Sequence, residues 1–107
     1  MTPEGRVKKK IIEYLETIPN LIYELRQAGG WSYKKGKPDL WFVYNGRHFE
    51  VEVKAPGGQP SSLQIFNEMK FLNAGSYYWR GESVENFIEC KTYNCIFIHC
   101  FDWVWCY

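Results

Sequence analysis

The chain has 107 residues, enough for one domain with a modest core, and its 46% hydrophobic content and 23% charged content are those of a globular protein. No apolar run approaches the length of a membrane span, and the N-terminus passes straight into charged residues without a signal peptide, so the expected setting is intracellular. A net charge of +1 is weak for a protein that binds polyanions over its whole surface.

Thr2-Pro3 predicts a helix start, with Thr2 as N-cap and Pro3 at the first helical position. Val7, Ile11, Leu15 and Ile18 repeat at helical spacing, and Pro19 is expected to end the helix. Glu4 lies in the first turn, where the helix dipole favours a carboxylate; the same position can lend an acid to a neighbouring site. Leu21–Arg26 reads as a strand broken by Ala28-Gly29-Gly30. In the loop at 28–38, Trp31 and Tyr33 alternate with lysines, a pattern suited either to stacking on bases or to packing the loop onto the sheet.

A hairpin follows. Asn45-Gly46 suits a type I′ turn, whose two central residues both need positive φ. With the turn fixing the register, Phe42 faces Phe49, Trp41 faces Glu50, Leu40 faces Val51, and Asp39 faces Glu52. Alternation then puts Asp39, Glu52 and Lys54 on one side and leaves Leu40, Phe42, Phe49, Val51 and Val53 as a core face. Two carboxylates directly across a strand pair repel each other. A hard divalent cation, Mg²⁺ or Mn²⁺, relieves that repulsion, and Lys54 beside it can hold a water or neutralise charge on a phosphate. The pattern outlines a metal-assisted phosphodiester cleavage site; the competing reading is a surface hairpin with ordinary exposed charges.

After the loop Ala55–Pro60, Ser61 or Ser62 caps a helix reaching about Ala74 and closed by Gly75, with Ile65, Phe66, Met69 and Leu72 as its expected buried stripe. Gln64 sits in its first turn. Tyr77-Tyr78-Trp79 reads as a short strand, Val84 to Cys90 as a brief helix behind Ser83, and Tyr93 through Trp105 as a last, aromatic-rich strand. The element order predicts an α/β sandwich, a mixed central sheet with the two longer helices on its faces. Cys90, Cys95, Cys100 and Cys106 form no Cys-x-x-Cys pair and are expected to be reduced, buried thiols.

Charge is unevenly spread: residues 1–54 carry ten Lys/Arg against seven Asp/Glu, and residues 55–107 carry three against five. Basic residues gather at Arg6-Val7-Lys8-Lys9-Lys10 and at Lys34-Lys35-Gly36-Lys37, close in sequence to the acidic pair. Lys8, Lys9, Lys34, Lys35 and Lys37 are thus candidate DNA contacts through phosphates.

Taken together, Glu4, Gly36-Lys37-Pro38-Asp39-Leu40, Glu50-Val51-Glu52-Val53-Lys54-Ala55-Pro56-Gly57, Ser61-Ser62-Leu63-Gln64, Gly75 with the aromatic strand after it, and Ser83-Val84-Glu85 resemble a known pattern. The chain resembles the PD-(D/E)xK nucleases and, within them, the virus-type replication-repair nuclease (VRR-NUC) domain. The resemblance covers roughly residues 3–90, whereas 92–107 form an unmatched C-terminal strand or tail on what is expected to be a single domain.

The resemblance implies a restriction-endonuclease-like sandwich with an αβββαβ core. It implies that Asp39 and Glu52 hold the metal, with the Val53 carbonyl as a further ligand and Glu4 as an outer acid. Lys54 would position or activate the attacking water, and Gln64 would orient Lys54 or a phosphate. Stand-alone members in phages and bacteria look like structure-selective endonucleases akin to Holliday-junction resolvases acting as homodimers. The implied setting is the cytoplasm of a bacterial or phage-infected cell. The competing functions are an exonuclease or restriction-like nuclease on the same fold, and a noncatalytic nucleic-acid binding module. The aromatic tail, with Trp103 and Trp105, is either the dimer contact or the completion of the monomer core.

Overall fold

The computed structural model describes residues 1–26 and 35–90. The loop containing Lys34, Trp31 and Tyr33, the last three cysteines and the expected C-terminal strand lie outside the described residues.

Helix α1 spans Pro3–Leu15. The Thr2 hydroxyl accepts a hydrogen bond from the Gly5 N–H at 3.0 Å, satisfying one of the amides that a helix start leaves free. The helix stops at Leu15, ahead of Pro19. Thr17 and Ile18 bond back to Tyr14 and Leu15 in tightened turns, since the residue before a proline is disfavoured in the helical region.

Strand β1 (Leu21–Leu25) pairs antiparallel with β2 (Leu40–Tyr44), which pairs antiparallel with β3 (Arg47–Val53). Asn45 and Gly46 have φ of 55° and 76°, the left-handed pair that the turn requires. The hairpin register is the one its turn predicts, with Leu40 opposite Val51 and Phe42 opposite Phe49. Helix α2 (Ser62–Asn73) then crosses the sheet so that β4 (Tyr77–Gly81) runs parallel to β3. Helix α3 (Val84–Cys90) closes the described part. The sheet is mixed, in the order β1-β2-β3-β4.

One sheet face makes the core with α1 and α3. Leu40, Phe42, Phe49, Val51 and Val53 are fully buried there with Ile11, Leu15, Trp79 and Phe87. Phe42 and Phe49 stack with ring centres 4.5 Å apart, and Phe87 sets its ring edge-on to both Phe42 and Trp79. Gly81 is required by close approach, because a Cβ there would lie 2.4 Å from the Trp79 ring.

The other face carries Glu50, Glu52, Lys54 and Arg80, and α2 covers it with polar side chains. Here the expectation from the sequence fails. Ile65, Phe66 and Met69 are 44%, 58% and 57% exposed, and Leu72 is only half-buried, whereas the buried residue of α2 is Glu68. A sheet face bearing charges needs partners for them, so the helix turns Gln64, Glu68 and Phe71 inward. Glu68 receives Arg80 at 2.8 Å, and Phe71 lies under the Arg26 guanidinium, 5.6 Å from its ring centre. No helix among the described residues is long and apolar enough to cross a membrane.

The two helix environments predict opposite responses. Phe87→Ala should destabilise by roughly 3–5 kcal/mol, as expected for emptying a packed aromatic site. Met69→Glu should change stability by no more than about 0.5 kcal/mol. Denaturant unfolding of both variants checks this; a strongly destabilised Met69→Glu protein would mean that the outer face of α2 is covered.

Candidate active site

The open end of the β2–β3 hairpin brings the acids together. Asp39 precedes β2 and Glu52 lies near the end of β3, one step beyond the Leu40–Val51 pair. The Val53 N–H donates to Asp39 Oδ2 at 2.7 Å and fixes that carboxylate across the strand gap. Lys8, from α1, approaches Asp39 Oδ1 at 3.4 Å. Glu52 is only 2% exposed and lies close enough to Asp39 for the charge of that carboxylate to act on it.

Gln64 ties Glu52 to Lys54. Its Nε2 donates to Glu52 Oε2 at 3.3 Å, and its Oε1 accepts from Lys54 Nζ at 2.7 Å. Lys54 Nζ also stands 3.8 Å from Glu52 Oε2. The position of Gln64 comes from local sequence: Ser61 caps α2, accepting from the Gln64 N–H, and Gln64 Oε1 accepts from the Ser61 N–H at 2.8 Å. Beside Lys54 opens a cavity of about 360 Å³, lined also by Gly58, Gln59, Pro60, Arg80 and Asn86.

Burial pushes the Glu52 carboxyl up to about 8, with the Asp39 charge adding to the rise, Glu4 adding more weakly, and Lys54 opposing it. Glu4 thus acts on the pair from the first turn of α1. Glu52 Oε1 is buried without a hydrogen-bond partner. A fully enclosed carboxylate oxygen with no donor, next to a second carboxylate, suits a hard cation. Among the described residues no group of three or more His, Cys, Asp and Glu side chains could hold an ion. The carboxylates at hand are Asp39 and Glu52, and Glu4 acts on Glu52 only through its charge.

Of the candidate phosphate contacts, Lys9 and Lys35 are exposed and Lys37 is half-buried. Lys8 is held by Asp39, which gives it a role at the acidic pair.

A second charged group, which the sequence reading missed, adjoins the pair. Glu50 is completely buried. Arg26 grips both its oxygens, at 2.5 and 3.0 Å, and His48 Nε2 lies 2.6 Å from Glu50 Oε2 with its ring stacked on Trp41. The signal was present in the alternation of β3, which puts Glu50 on the same face as Glu52 and so demands a cation for it.

The metal-free protein should show the carboxyl pair in its pH dependence. Glu52 binds its proton more tightly folded than unfolded. Its contribution to stability is therefore full below the ordinary carboxylate range and is lost as pH rises through about 8. In EDTA the Tm should fall over that window, and Glu52→Gln should flatten the fall. An equal slope in the two proteins would show that Glu52 ionises normally.

No protein-family model matches the chain, and no curated protein matches it. A solved structure described as a "VRR_NUC domain" is similar at 24% identity and a TM-score of 0.72, over 87% of this chain and 98% of that one. At this identity the likeness speaks for the fold: the chain has the mixed-sheet α/β fold of a VRR_NUC domain, a nuclease-type fold.

Proposed function

We propose that the chain is a Mg²⁺- or Mn²⁺-dependent DNA endonuclease, selective for branched DNA such as Holliday junctions and acting as a homodimer. The observation that carries the nuclease reading is the buried, partnerless Glu52 Oε1 beside Asp39, with Lys54 anchored at its rim. Branched DNA and the dimer are supported by the resemblance of the Pro38-Asp39, Glu52-x-Lys54 and Gln64 motifs to stand-alone VRR-NUC domains.

In this reading Asp39 and Glu52 hold the cation, with the Val53 carbonyl as a further ligand and Glu4 as outer acid. When bound, the divalent ion neutralises charge on the phosphate and acidifies water. The protein's own groups supply position. The Val53 N–H keeps Asp39 turned toward Glu52. Gln64 holds Lys54 by its carbonyl oxygen, leaving the remaining ammonium protons to orient a water and to meet charge developing on a phosphoryl oxygen. Lys9, Lys35 and Lys37 contact flanking phosphates, as would Lys34, and Lys8 balances Asp39 before the cation arrives.

Lys54→Ala should lower the cleavage rate by about 100-fold or more while leaving DNA affinity intact, since it removes one transition-state donor. Gel-based cleavage and binding assays on the same labelled junction check both halves. A variant that cuts at the wild-type rate would end this role for Lys54.

Labelled junction, flap, duplex and single-stranded DNA incubated with Mg²⁺, Mn²⁺ or EDTA should give metal-dependent cutting that favours the junction. Binding without cleavage in either metal would indicate a noncatalytic module, and cutting only from ends an exonuclease. Sedimentation should show a dimer that Trp103→Ala/Trp105→Ala weakens; a wild type monomeric at micromolar concentration would refute a stable dimer.

A further inference from the structure

Arg26 is the last described residue of the β1 side of the sheet, and it touches the peptide on each side of Asp39. Its backbone N–H donates to the Asp39 carbonyl at 2.8 Å, extending the β1–β2 ladder by one bond. Its guanidinium Nη1 donates to the Pro38 carbonyl at 3.2 Å. A peptide unit is planar, so fixing the carbonyls of Pro38 and Asp39 fixes the planes on both sides of the Asp39 Cα. That sets its φ and ψ, and with them the direction of its Cα–Cβ bond. The Val53 N–H then fixes the carboxylate at the end of that bond.

The guanidinium is itself immobilised. Its fork is held by both oxygens of the fully buried Glu50, and the Phe71 ring of α2 lies against its face. Glu50 shares no hydrogen bond or ion pair with Glu52 or Lys54; its carboxylate is engaged by Arg26 and His48. From these contacts we infer that Arg26, locked by Glu50, is a positioning residue that aims the Asp39 carboxylate at the cation site. The inference rests on the metal-binding reading of Asp39 and Glu52.

The test is calorimetric titration of the whole chain with MnCl₂, beside DNA affinity in EDTA and metal-free Tm. Arg26→Met alone leaves the buried Glu50 carboxylate with His48 as its remaining side-chain partner, so the decisive variant is Arg26→Met/Glu50→Met, which removes both charges together. Arg26→Lys is the second variant; it keeps the charge over Glu50 but cannot also reach Pro38 in a fork. Loss of a residue that orients a ligand typically weakens metal binding by about 10–100-fold. The expected result is a loss in that range in whichever variant is folded by Tm, with DNA affinity in EDTA unchanged. Mn²⁺ affinity within about twofold of wild type in a folded variant overturns the positioning role. A wild type that binds no Mn²⁺ removes the metal reading and this inference with it.

Discussion

Asp39 and Glu52 meet across the open end of one hairpin, where Glu52 is buried and Asp39 is half-buried. Two carboxylates so placed repel each other, and burial together with the Asp39 charge raises the affinity of Glu52 for a proton. Much of the surrounding structure serves that contact. A backbone amide of β3 holds one acid, a helix cap holds the lysine beside the other, and α1 supplies Lys8. The pair is unfavourable as packing, and in the proposed function a divalent cation takes the place of the proton.

The same constraint explains the helix that runs over it. A sheet face with two glutamates, a lysine and an arginine cannot be covered by leucine and isoleucine, since each uncompensated charge costs several kcal/mol to bury. Helix α2 therefore presents Gln64, Glu68 and Phe71 to the sheet. Its more apolar residues are left on the outside, and among the described residues the apolar core lies on the opposite face. There Phe42, Phe49, Trp79 and Phe87 interlock with Ile11 and Leu15.

Legibility in the sequence followed the range of the forces. The hairpin register was readable because Asn45-Gly46 sets it locally, and with it came the opposition of Asp39 and Glu52 and the five core residues of β2 and β3. The start of α1 and a serine cap at Ser61 or Ser62 for α2 were readable for the same reason, whereas the reciprocal bond from Gln64 was not. The orientation of α2 was not. Periodicity identifies a helix and an apolar stripe, but which side faces inward depended on charges supplied by strands far along the chain. Arg26 escaped notice likewise, because its partner Glu50 becomes its neighbour only when β1, β2 and β3 have paired. The roles of Glu4 and Gln64 came from resemblance; local chemistry alone gives each an ordinary helix-terminal explanation.

Gln64 joins two matters that are usually separate. One carbonyl oxygen closes the first turn of α2 and also anchors the lysine. Helix ends are where chains ordinarily open first, far below the free energy of global unfolding. In this protein such fraying cannot be silent. Each opening of that turn releases the Gln64 hold on the Lys54 ammonium and leaves it only the more distant Glu52, while the interlocked aromatic core on the other face stays closed. Local opening of one helical turn is therefore enough to loosen the lysine without unfolding the core.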